Sequence, residues 1–146
     1  MLGELTDREI ERVLHDEVLA RIGCHVDGLT YVVPIAYAYD GECIVGHSRD
    51  GMKLRMMREN PDVCVEVDRM DDLANWQSVI AWGRFEELIG VEAIKAMQKL
   101  VLRMTPLMTS ETAVPTHGLK PSHTTTERAA LYRIRLTKKT GRFERR

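Results

Sequence analysis

His47, Ser48 and Lys53 fall within one short stretch, GHSRDGMK, and residues of these types at this spacing could hold a phosphate. A helix starting near Asp50–Met52 would leave unpaired backbone amides and a positive dipole end there. Lys53 would lie in its first turn, and Ser48 could donate its hydroxyl. The same residues also suit a solvated helix start with an ordinary surface lysine. Val33, Pro34, Ile35 and Ala36 form a second candidate. Proline cannot donate to a strand ladder. The segment is therefore either a sheet edge or a place where unpaired backbone groups meet a planar heterocycle with donors and acceptors on its rim. Trp76, Gln77 and Ser78 form a third. Alternation puts Trp76, Ser78, Ile80 and Trp82 on one face and Gln77, Val79 and Ala81 on the other. Gln77 or Ser78 could cap the polar rim of a bound ring, while Trp82 suits a core or subunit contact. His15, His25, His117 and His123 read as surface or satisfied loop residues.

The elements that would position these groups follow from periodicity. Thr6-Asp7-Arg8-Glu9 is a capping box, and Ile10, Val13 and Leu14 continue it at helical spacing. Residues 18–26 alternate as a strand ending at Asp27-Gly28. Residues 31–39 form the next strand, and Asp40-Gly41 is a hairpin signal leading into a strand over 42–46. A two-turn helix over 52–59 should stop at Asn60-Pro61, because the residue before proline avoids helical geometry. Residues 62–68 alternate as a strand, 69–75 read as a polar loop, and 76–89 read as a long strand bent near Gly83. A helix over 90–104 carries Val91, Ile94, Met97, Val101 and Met104 at helical spacing. Residues 105–127 lack a pattern, a segment long enough to suggest function or mobility. A last strand directs Tyr132, Ile134 and Leu136 inward and Arg133 and Arg135 outward. These elements predict an α+β, mainly β domain over residues 1–146: about six antiparallel strands in a barrel with a few flanking helices.

Composition narrows the class. The 146 residues carry a formal net charge of −1, which gives no sign of a nucleic-acid surface. The basic residues after Lys138 read as a solvated tail. Cys24, Cys43 and Cys64 are odd in number and form no Cys-x-x-Cys, which excludes zinc and thioredoxin-like motifs on spacing. Reduced thiols point to the cytoplasm. The N-terminal residues lack the apolar stretch of a secretory leader, and no apolar run is long enough to span a membrane.

Taken together, VVPIAYAYDG, GHS, GMKLRMMRENP and VCVEVD resemble the flavin-binding split barrels related to pyridoxamine 5'-phosphate oxidase, closest to the branch that holds the nitroimidazole-resistance proteins. The resemblance runs from about Leu19 to Leu88. It implies a six-stranded antiparallel split barrel that binds FMN at the interface of a homodimer. Val33, Pro34, Ile35 and Ala36 would lie along the isoalloxazine edge. His47, Ser48 and Lys53 would hold the phosphate and ribityl chain, and Trp76, Gln77 and Ser78 would reach the cofactor from the other side. His47 falls where the nitroimidazole-resistance proteins carry a histidine near the flavin, which makes it the candidate catalytic residue. The oxidases' basic Arg-x-Val-x-x-Lys pattern is missing from the strand containing Val33-Pro34-Ile35, which argues against vitamin B6 as substrate.

The leading expectation is an FMN-dependent oxidoreductase reducing a small electron-poor substrate. A flavin carrier or sensor without turnover is the second reading. Haem binding through His47, His117 or His123 is the third, and a deazaflavin cofactor also stays open.

Overall fold

The computed structural model describes residues 1–107 and 129–146. His117 and His123, and most of the patternless 105–127 segment, lie outside the described residues. Eight strands are present among the described residues: β1 (Leu2–Glu4), β2 (Leu19–Val26), β3 (Leu29–Ala36), β4 (Ala38–Tyr39), β5 (Cys43–Arg49), β6 (Asp62–Asp72), β7 (Asn75–Leu88) and β8 (Ala129–Glu144). The helices are α1 (Asp7–Asp16), α2 (Met52–Glu59) and α3 (Gly90–Met104). All pairings are antiparallel, in the order β3-β2-β6-β7-β8-β5-β4, with β1 beside β8. Because β3 runs into β4 through Tyr37, the two ends of that order meet along one seam. This is a split barrel, with two short strands beyond the six expected.

Alternation fills its interior. Ala20, Ile22 and Cys24 of β2, Val63, Val65 and Val67 of β6, Val79 and Phe85 of β7, and Tyr132 and Ile134 of β8 are all buried. Fully burying one Val, Ile or Phe side chain contributes about 1.5–3 kcal/mol. Helix α1 closes one end of the barrel. Its capping box forms as expected, with Thr6 Oγ1 accepting from the Glu9 amide at 3.2 Å and Glu9 Oε1 from the Thr6 amide at 3.1 Å. Ile10, Val13 and Leu14 then face the core. The Tyr37 hydroxyl donates to the Leu14 carbonyl at 2.8 Å, tying the seam to this helix.

Several boundaries depart from periodicity. Strand β5 runs on to Arg49, so His47 and Ser48 are strand residues paired with Leu131 and Ala130. The expected loop over 69–75 is mostly strand. Strand β6 extends to Asp72, where the Asp72 carboxylate accepts from the Ala74 amide and from Asn75 Nδ2 to make a tight turn. The basic tail is also strand: β8 continues to Glu144 along β7, and Lys139 and Arg145 reach back to Glu11 and Glu9 on α1. Polar cross-strand pairing hid this from a hydrophobic pattern. Helix α3 buries Ala96, Leu100 and Met104, whereas Val91, Ile94 and Val101 of the expected face stay exposed.

The Asp40-Gly41 turn carries a prediction. Asp40 Oδ1 accepts from the Glu42 amide at 2.9 Å and the Cys43 amide at 2.6 Å, and Oδ2 meets Lys99 Nζ at 3.0 Å. Burial pushes this carboxyl's pKa up, but the two amides and Lys99 outweigh it and hold it below the ordinary range. A carboxylate with a depressed folded pKa stabilises the fold above its unfolded value, and that contribution fades as pH falls through the folded value. Asp40→Ala should cost about 1–2 kcal/mol at neutral pH in urea unfolding. The difference from wild type should shrink in acid, whereas a difference independent of pH would refute the charged-acceptor role.

Candidate functional site

Helix α2 begins at Gly51 without a side-chain cap and without an acidic residue in its first turn. Among the described residues its first amides are therefore left as donors without a side-chain cap, at a positive dipole end. Lys53 lies in that turn. It is half-buried, and burial pulls its pKa below the ordinary 10.5 even though the Cys24 thiol below opposes the shift. No carboxylate lies within ion-pairing distance of it among the described residues. A half-buried ammonium without a counter-ion is costly, and an anion at the helix start would offset that cost. His47 and Ser48 end the adjoining strand, both half-buried. The Ser48 hydroxyl donates to the Arg49 carbonyl at 2.9 Å, so it would have to turn to serve a ligand.

Pro34 sits on a sheet edge. Strand β3 is the end of the strand order, so among the described residues no strand pairs with its outer side, a position that tolerates proline. That edge is also what a ring-binding segment requires. Ile35 is buried, Val33 and Ala36 are half-buried, and Pro34 is exposed opposite Arg21.

Trp76, Gln77 and Ser78 begin β7, far from Lys53. His47 is level with Leu131 on β8, and Leu131 with Leu88 on β7, whereas Gln77 is level with Phe143. From Gln77 to Leu88 the chain runs on the order of 30 Å along the strand. The structure thus gathers His47, Ser48 and Lys53 at one end of the barrel and Trp76, Gln77 and Ser78 at the other. A mononucleotide touching His47 and Gln77 of a single chain would have to bridge that length of strand. Trp76 Nε1 donates to Glu144 at 3.2 Å, and Ser78 Oγ donates to Glu66 Oε2 at 3.2 Å.

Glu66 is a site feature that sequence reading missed. Its Oε1 is buried with no hydrogen-bond donor and lies 3.6 Å from Arg21 Nη1, within reach of the charge but too far for a hydrogen bond. Burial, then the adjacent Asp68, push its pKa up against the pull of Ser78 and Arg21. It lines a cavity of about 650 Å³ on the outer faces of β2, β3, β6 and β7, with Cys64, Val32 and Trp82. Its place two residues before Asp68 was the available signal, since like charges at that spacing share a strand face. Among the described residues no His, Cys, Asp or Glu group is arranged to hold a metal ion, and no helix is long and apolar enough to cross a membrane.

Residues 6–143 match the family model described as pyridoxamine 5'-phosphate oxidase. An uncharacterized protein of Rhizobium meliloti is 34% identical over 84 residues, a stretch covering 58% of this chain and 56% of that relative, so the match spans little more than half of the relative's length. Among solved structures, a FAD-binding protein from Mesorhizobium loti is 26% identical with a TM-score of 0.81, covering 100% of this chain and 98% of that one. A proposed 5-nitroimidazole antibiotic resistance protein from Bacteroides thetaiotaomicron is 17% identical with a TM-score of 0.74, covering 98% of this chain and 87% of that one, and shares the fold.

Proposed function

The chain belongs to the pyridoxamine 5'-phosphate oxidase family, and from that membership we propose that it is an FMN-binding homodimeric oxidoreductase acting on a small electron-poor substrate. The observation that carries the reading is Lys53: a half-buried ammonium without a carboxylate partner among the described residues, set in the first turn of a helix that lacks both a cap and an acid. That donor set fits a phosphate monoester. Lys53 and the α2 amides would bind the phosphate, with Ser48 beside them. The open edge at Val33, Pro34, Ile35 and Ala36 would receive the ring, and His47 would be the side chain nearest the substrate.

The separation of the two residue sets supports the homodimer. Gln77, Ser78 and Trp76 would complete the site of the neighbouring copy, not that of their own chain. A bound flavin supplies hydride chemistry, while the protein binds, orients and shields it. Three free thiols, Cys24, Cys43 and Cys64, support a reducing, cytoplasmic setting.

The visible spectrum of the purified protein, followed by heat release and mass identification of the chromophore, tests the reading. Flavin absorption with FMN released is the expected outcome. FAD released instead would keep the flavoprotein and replace the cofactor. A colourless protein that takes up neither FMN nor FAD would overturn the proposal.

A further inference from the structure

Arg12 of α1, Arg69 of β6 and Arg145, which follows β8, converge on one cavity of about 300 Å³ beside the β6–β7 hairpin. Trp76 and Gln77 form its wall, with Asp71 and Glu144 as its acidic groups. The charges are unevenly matched. Arg69 Nε reaches Asp71 only at 3.8 Å, with both side chains more than half exposed, so that pair holds neither group firmly. Glu144 accepts from the Trp76 indole, and Arg145 is held by Glu9. Arg12 has no ion-pair partner among the described residues. Arg12 and Arg69 are therefore the two guanidinium groups of this cavity without a firm counter-ion among the described residues, and their planar forks match phosphate oxygens. An indole and a primary amide beside them are suited to a ring and its polar rim.

We propose that this cavity binds the phosphate of a nucleotide, with Arg12 and Arg69 on the phosphate and Trp76 against the sugar or ring. The adenylate half of a bound FAD and a free nicotinamide dinucleotide acting as electron donor share this chemistry. Its place next to a flavin rests on the reading given above, because Trp76 and Gln77 are the residues assigned to the neighbouring copy's cofactor. The anion site itself does not depend on it.

AMP titrated into the purified protein by calorimetry is the test. Saturable binding is expected, weakened about ten-fold by Arg12→Ala or Arg69→Ala, the order of one charge-assisted contact, and unchanged by Lys99→Ala on α3. Competition of AMP with FAD but not with FMN would support the site and identify the adenylate half of FAD as the source. A rise in KM for a nicotinamide dinucleotide in Arg12→Ala, with flavin occupancy intact, would support the site and identify the free dinucleotide. Arginine-dependent AMP binding by a protein that takes up no flavin would keep the site and remove the flavin reading. No saturable AMP binding, or binding indifferent to both arginines, would overturn the proposal.

Discussion

Lys53→Met is expected to weaken flavin binding by about 10- to 150-fold, the equivalent of the 1.5–3 kcal/mol that a hydrogen bond to a charged group contributes. Methionine keeps the apolar stem and removes the ammonium, so the change reads charge and not packing. Fluorescence-quenching titration with FMN measures it, and unchanged affinity would remove Lys53 from the site. The pH dependence has a definite sign. Burial lowers the Lys53 pKa in the free protein, and a bound phosphate would raise it. Between the two values binding takes up a proton, so affinity should fall with rising pH, beginning below the ordinary 10.5. The Lys53→Met variant should lose that slope.

Gly83→Ala is expected to be among the most damaging single substitutions, costing about 3 kcal/mol. A Cβ at this position would lie 2.4 Å from the Arg135 carbonyl oxygen and 2.9 Å from Ile134 Cγ2. The first obstacle is main chain, which cannot swing aside as a side chain can. The β7–β8 ladder also shifts register here, from Trp82 level with Lys138 to Gly83 level with Leu136, which leaves Thr137 as an extra residue on β8 and sets a bulge of β8 against Gly83. Gly51→Ala is the control. Its backbone is extended at φ 177 and among the described residues nothing stands nearer than 3.9 Å to a Cβ placed there, so the cost should stay within about 0.5 kcal/mol. Equal urea midpoints for the two variants would show that the close approach at Gly83 is relaxed in solution.

The fold was legible wherever burial imposed a period. Alternation at Ala20, Ile22 and Cys24 and at Val63, Val65 and Val67, the capping box at Thr6, the Asn60-Pro61 stop and the close backbone approach at Gly83 all have local physical causes. What escaped depends on remote partners. Residues 138–144 are charged and glycine-containing, and become strand because β7 offers them a ladder and α1 offers carboxylates to Lys139 and Arg145. The seat of α3 on Ala96 and Leu100 was missed because its apolar residues exceed what one face can bury. The candidate site was half legible. The spacing of His47, Ser48 and Lys53 fits a turn between strand and helix, whereas the distance of Gln77 from Lys53 emerges only from strand register. Glu66 showed in the sequence only as a carboxylate two residues before Asp68, and its cavity and the arginine cavity needed three-dimensional structure, because their members come from different strands and from α1.

The central claim is a flavin site shared between two copies of the chain, and subunit mixing addresses it most directly. Lys53→Met and Gln77→Ala chains, each weak in FMN binding alone, would be co-expressed and the mixture titrated with FMN. If Lys53 and Gln77 act across the interface, every mixed dimer holds one site without either lesion. Random pairing then restores wild-type affinity to about a quarter of the sites. A mixture that binds no better than its two parents would place both residues in one chain's site and contradict the account.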